Sequence, residues 1–180
     1  MRILKENTVA LFIDIQEKLF PHILDKEILE QNLTSLSEGL KVLGIPTLVT
    51  EQYTKGLGPT IYPLKKLFGD FPCIEKISFS CCDEPRFMGA IMNLEKKTVV
   101  ICGIEAHVCV LQTVIDLVQL GFQPVVVEDC IASRKLSDKI TAINRMRMEG
   151  AIITSKESIL FELTRFSGSD TFKAISKLVR

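Results

Sequence analysis

Three side chains of complementary chemistry stand just beyond short apolar runs of this chain. Asp14 closes Phe12-Ile13-Asp14, Lys76 follows Ile74-Glu75, and Cys109 ends the stretch Cys102-Gly103-Ile104-Glu105-Ala106-His107-Val108-Cys109. A sulfur nucleophile, a carboxylate to take its proton and an ammonium to pair with that carboxylate form a working set for covalent acyl transfer. Each also has an ordinary structural reading. Asp14 can cap a turn, Lys76 can be a solvated surface lysine, and Cys109 can be one more small buried apolar residue. What separates them from these readings is where the elements of the chain would put them.

Apolar β-branched runs alternate with helical periodicity. The runs Thr8–Ile15, Thr47–Thr50, Cys73–Ile77, Thr98–Cys102, Gln123–Val127 and Ala151–Thr154 read as strands. Leu29, Leu33, Leu36, Leu40 and Leu43 form one stripe of an amphipathic helix that Gly44 ends. Pro85–Leu94, Glu105–Leu120, Ser137–Glu149 and Asp170–Val179 also read as helices, and Thr154 with Glu157 reads as a capping box opening another. Tyr53–Pro63, rich in glycine and proline, reads as a loop, and Gly103 as a strand breaker. This repetition predicts a three-layer α/β/α domain over residues 1–180, with a doubly wound, parallel six-stranded sheet of order 3-2-1-4-5-6. In such sheets ligands bind beyond the carboxyl ends of the strands, near the switch between strands 1 and 4. Asp14 and Cys109 fall at that switch. Cys109 also falls in the first turns of a helix, where the dipole favours thiolate and free N–H groups could hold an oxyanion.

Composition excludes several function classes. The 180 residues carry 22 basic and 22 acidic side chains. That balance argues against a nucleic-acid or acidic-membrane surface. With a mean hydropathy of +0.26 it leans toward self-association, so a homo-oligomer is expected. No secretory signal and no transmembrane run are legible, which predicts a cytoplasmic protein whose six cysteines stay reduced. Gln16 stands where a phosphatase-type site needs a second acid, and no glycine-rich turn follows the first strand for a dinucleotide. Cys81-Cys82 lacks a companion pair for a soft-metal site.

The motifs FIDIQ at Phe12–Gln16, TEQYTKGLGPT at Thr50–Thr60, EKISFS at Glu75–Ser80 and CGIEAHVCV at Cys102–Val110 together resemble the isochorismatase-like cysteine hydrolase superfamily. Within it the chain is most similar to isochorismatase-domain-containing proteins of unassigned substrate. The resemblance runs from about Asn7 to the C-terminus. It implies an Asp–Lys–Cys triad at Asp14, Lys76 and Cys109. It also implies a non-proline cis peptide at Ile104–Glu105, and an oxyanion hole from the backbone N–H groups of Glu105 and Cys109. Metal-dependent nicotinamidases of this superfamily place an Asp-x-His pair after the second strand. Here that stretch reads Glu51-Gln52-Tyr53, and His22 and His107 are the only histidines. A metal site of that kind is therefore not expected, and no cofactor is.

The expected chemistry has Asp14 accept the Cys109 proton while sulfur attacks a carbonyl carbon, with Lys76 holding Asp14. The substrate is expected to be a small amide, ester or imide rather than isochorismate, whose vinyl ether can be hydrolysed without a thiol. Gln16, Phe20, Tyr53, Phe79, Ile104 and His107 flank the triad motifs and are expected to line the pocket. Two other classes compete. A scaffold that retained the fold has no need of all three side chains, and a thiol-redox protein would bring Cys81, Cys82 or Cys102 up to Cys109.

Overall fold

A strand covered on both faces reads as a continuous apolar run, and here the two most apolar runs become the two central strands. The computed structural model describes residues 1–69 and 73–179. Six parallel strands form one sheet: β1 (Thr8–Ile13), β2 (Thr47–Gln52), β3 (Cys73–Lys76), β4 (Thr98–Ile104), β5 (Gln123–Ala132) and β6 (Ile152–Thr154). Their order is β3-β2-β1-β4-β5-β6, as the strand–helix repetition predicts. Every residue of β1 and β4 is buried.

The helices divide between the two faces. They are α1 (Lys26–Leu43), α2 (Thr54–Leu57), α3 (Tyr62–Phe68), α4 (Pro85–Asn93), α5 (Leu111–Gln119), α6 (Leu136–Met148), α7 (Lys156–Thr164) and α8 (Asp170–Leu178). Period-two alternation sends Ala10, Phe12, Val100 and Cys102 to one face, where they meet the leucine stripe of α1, Leu64 of α3, Ile159 and Leu160 of α7 and Ile175 of α8. Val9, Leu11, Ile13, Val99 and Ile101 face the other way, against Phe87 and Ile91 of α4, Val114 and Leu117 of α5 and Met146 of α6. Gly44 ends α1 in the left-handed conformation, its N–H bonded back to Leu40 and Lys41.

The departures from the sequence reading cluster at the carboxyl edge of the sheet. β1 stops at Ile13 because Asp14 takes a left-handed φ of 52°, which turns the chain out of the strand. The Tyr53–Pro63 segment is not all loop: it contains α2 and the start of α3. The expected helix Glu105–Leu120 begins instead as a π-type turn over Ala106–Val110 and becomes α-helical only at Leu111. β5 runs on past Val127 to Ala132. Ser155, not Thr154, caps α7, because Thr154 still belongs to β6 and the Ser155 hydroxyl accepts the Ser158 N–H.

Gly103 does not break β4 but lets it continue. The pairing of β4 with β5 shifts register between Ile101 and Gly103, and β4 runs on to Ile104. Gly103 holds φ of 133°, and a Cβ built there would sit 2.2 Å from the Ile13 carbonyl oxygen and 2.7 Å from its nitrogen. Only glycine lets β4 come this close to the last residue of β1. Gly103→Ala is therefore expected to cost about 2–4 kcal/mol, as a lower urea midpoint. A wild-type midpoint would contradict this account of the strand ends.

Candidate active site

The register of the sheet delivers the site. Ile13 pairs with Thr50 on one side and Gly103 on the other, and Gln52 pairs with Lys76. The chain beyond β1 therefore lies between the ends of β2 and β4, and the end of β3 lies one strand further out.

Lys76 and Asp14, 62 positions apart in sequence, meet with Nζ 2.6 Å from Oδ2, and neither side chain is exposed. The ammonium also donates to the carbonyls of Ser78, at 3.0 Å, and Phe79, at 3.1 Å. All three of its N–H bonds are thereby engaged. Burial works to strip the proton from Lys76, but the Asp14 carboxylate, with Cys109 and Cys81 when ionised, outweighs it and holds the amine above its ordinary 10.5. The other Asp14 oxygen, Oδ1, accepts the Thr50 hydroxyl at 2.8 Å. A buried carboxylate is tolerated only with such partners, and Asp14 has them on both oxygens.

Cys109 lies in the π-type turn after β4, with a thin exposed edge of 4%. The Asp14 carboxylate is the strongest charge facing its thiol. On the other side the sulfur lies 3.7 Å from Gln52 Oε1. Burial first, and the Asp14 carboxylate second, push this thiol above its ordinary range, while Lys76 pulls the opposite way. This corrects the expectation of a helix dipole favouring thiolate. Desolvation and the facing carboxylate both disfavour the charged sulfur and work against the dipole.

Sequence reasoning missed the residues that frame this group. Thr50 and Gln52 stand two apart on β2 and so share one face, the signal that could have found them. Thr113, four residues beyond Cys109, donates its hydroxyl to the Cys109 carbonyl at 2.7 Å and accepts the Cys81 N–H at 3.0 Å. Ser80, which closes the loop after β3, donates to Asp116 on α5. Cys81 thus does lie beside the group, the condition set for a redox reading. It is fully buried, however, and burial with Asp14 drives its thiol up to about 12, which makes it a poor exchange partner.

The expected pocket wall is largely rearranged. Gln16 is buried and holds the loops together: its Nε2 donates to the carbonyls of Gln52, at 2.9 Å, and Gly58, at 2.7 Å. Phe20 and Ile104 pack into the core on the α1 face, and Phe20 also lines a depression beside the start of α1 with Pro21, Lys26 and Glu27. Tyr53 and Phe79 are half exposed at the rim. Tyr53 lines an open depression of about 400 Å³ with Lys55, Glu75, Ile77 and Arg86. His107 turns its ring to the Ser133 hydroxyl at 2.9 Å and to Asp138. Glu105 holds Arg134 at 2.9 Å beside a second depression, of about 380 Å³, that includes Leu19, His22 and Ile23. The Ile104–Glu105 bond is cis, at the position implied by the resemblance. Among the described residues no three His, Cys, Asp or Glu side chains are grouped to hold a metal ion.

Comparisons with known proteins agree with this geometry at the level of fold and family. The family model described as Isochorismatase domain matches residues 8–158. The secreted isochorismatase effector Isc1 of Phytophthora sojae is 33% identical over 99% of this chain and 87% of its own. Among solved structures, the MAR1 ribonuclease of Caenorhabditis elegans superposes with a TM-score of 0.93 at 36% identity, over 99% of this chain and 92% of the other. The YcaC gene product of Escherichia coli, described as an octameric hydrolase of unknown specificity, superposes with a TM-score of 0.93 at 26% identity, over 99% and 89%.

Two outcomes follow from the charges. Lys76→Met leaves the Asp14 carboxylate buried and unpaired. It is expected to cost roughly 3–5 kcal/mol in urea unfolding, part of it recovered by adding Asp14→Asn. An undiminished midpoint in the single variant would contradict the burial of this pair. The second outcome concerns alkali. Cys81, Cys102, Cys130 and Lys76 all keep protons in the fold that the unfolded chain releases near 9.0 for the thiols and 10.5 for the amine. Groups with raised values contribute their full stability below the unfolded pKa and lose it as pH climbs toward the folded one. The unfolding free energy from urea titration should therefore hold level to about pH 8.5 and fall steadily above pH 9, by up to about 1.4 kcal/mol per pH unit for each thiol, with the midpoint falling in step. A midpoint flat through pH 10.5 would rule this out.

Proposed function

This chain belongs to the isochorismatase family, and from that premise we propose that it is a metal-independent cysteine hydrolase of a small amide-, ester- or imide-like molecule. The observation that carries the reading is the buried 2.6 Å Lys76–Asp14 contact, whose charges both act on the Cys109 thiol. A fold that needed only stability would gain as much from apolar side chains there.

In this mechanism the sulfur attacks the substrate carbonyl carbon as its proton passes to Asp14. Because the resting group is a thiol, proton transfer and attack are coupled. Lys76 offers no spare N–H bond; it holds Asp14 in place and supplies positive charge. The backbone N–H groups of Glu105 and Cys109 receive the oxyanion. Asp14 returns the proton to the leaving atom, a thioester-type intermediate remains, and Asp14 then draws a proton from the water that cleaves it. Acid and base are thus one carboxylate in two protonation states. Tyr53 and Phe79 at the rim, and His107 further along the turn, are the side chains from the original pocket set that remain available to a ligand.

The chain works as one domain. We assign it to the cytoplasm, where its six free thiols stay reduced. Among the described residues no helix is long and apolar enough to cross a membrane. We also assign it to a homo-oligomer, supported by its zero net charge and by the octameric E. coli neighbour. The ribonuclease name of the nematode structure belongs to that protein. Here basic and acidic residues cancel, and a carboxylate beside the nucleophile repels a phosphodiester.

A screen of small amides, esters and imides tests the reading. Turnover found in the wild type should fall at least about 10³-fold in Cys109→Ala and roughly 10²–10⁴-fold in Asp14→Asn, with circular dichroism unchanged. Undiminished turnover in Cys109→Ala would sink the proposal.

A further inference from the structure

Gln52 touches the sulfur of Cys109 yet has no part in the steps above. Its backbone is held on two sides and its carboxamide on one. Gln16 grips its backbone, with the Gln52 N–H donating to Gln16 Oε1 at 2.8 Å and the Gln52 carbonyl accepting Gln16 Nε2 at 2.9 Å. Its own Nε2 donates to the Ile77 carbonyl at 3.2 Å. That last bond fixes which way the amide faces, since a carbonyl can be met only by the nitrogen. The oxygen, Oε1, is the atom left facing Cys109 Sγ at 3.7 Å.

The sulfur therefore lies between two acceptors, the Asp14 carboxylate and the Gln52 carbonyl oxygen, and it carries one proton. Once that proton moves to Asp14, Oε1 faces electron-rich sulfur with no donor. An unfilled acceptor at a partly buried site is costly, and here the missing donor has to come from the substrate. In a thiol attack the atom bonded to the carbonyl carbon opposite the oxyanion is the leaving atom. A nitrogen there carries an N–H that Oε1 can accept. An ester oxygen there presents a lone pair to a lone pair. We propose that Gln52 is a specificity-determining residue that selects acyl groups bearing an N–H, amides and imides, over esters. This deepens the hydrolase reading and rests on Cys109 being its nucleophile.

The test uses two alkylating probes that differ only in the group at issue, N-methyl-2-chloroacetamide and methyl chloroacetate. In both, Sγ–C forms as C–Cl breaks, chloride leaves and the thiol proton passes to Asp14, so no turnover is needed. Rates of Cys109 modification are read by mass spectrometry and divided by the rates of the same probes with glutathione. The corrected amide-to-ester ratio is expected to be about tenfold or more in the wild type, and to fall to near one in Gln52→Met. A corrected ratio near one in the wild type overturns the proposal whatever the variant does, as does a high ratio that Gln52→Met leaves in place. Failure of both probes to modify Cys109 while Cys73 or Cys82 reacts removes the nucleophile itself, a result distinct from loss of selectivity.

Discussion

The buried ion pair between Lys76 and Asp14 is the constraint on which the rest of the site depends. Taking both charges out of water costs several kcal/mol each, and the pair persists only because every polar atom in it has a partner. Thr50 satisfies one carboxylate oxygen and Lys76 the other, while the ammonium gathers two carbonyls from the loop beyond β3. These partners belong to β2, to β3 and to the segments just beyond β1 and β3. The pair therefore fastens three neighbouring strand ends to one another, and the crevice above the sheet takes its shape from that fastening. Ser80 extends the same logic to α5, and Thr113 ties the Cys81 turn to the Cys109 turn.

The carboxylate that positions Lys76 also sets the state of the sulfur. The Asp14 carboxylate faces the sulfur and so helps to hold the Cys109 proton on. Ammonium, carboxylate and thiol are therefore one unit, and the charge of any member depends on the other two. Such a unit favours a shared proton over the storage of a free thiolate.

Much of this was legible in the sequence. Alternating apolar runs and helical stripes determine the parallel order of the strands, because each pattern buries one face or two and right-handed crossovers leave few arrangements. Asp14, Lys76 and Cys109 stood out by position and, together, by family resemblance. What was not legible depended on contacts between strands. Gly103 reads as a breaker along the chain and becomes a necessity only when Ile13 lies beside it. Gln16 reads as a pocket residue because it follows Asp14, yet pairing with Gln52 and Gly58 turns it inward. Phe20 is near the acid in sequence but belongs to the α1 core. The direction of the thiol's shift could not be read either, since it is set by the balance of burial and a carboxylate against a dipole.

A sulfur whose proton is held on by burial and a facing carboxylate is also a quiet sulfur. Hydrogen peroxide, small disulfides and stray electrophiles attack thiolates far faster than thiols, so Cys109 in this setting is poor prey for all of them. The carboxylate that draws the strand ends together thus doubles as a shield against oxidative wear, and both follow from the placement of one acid.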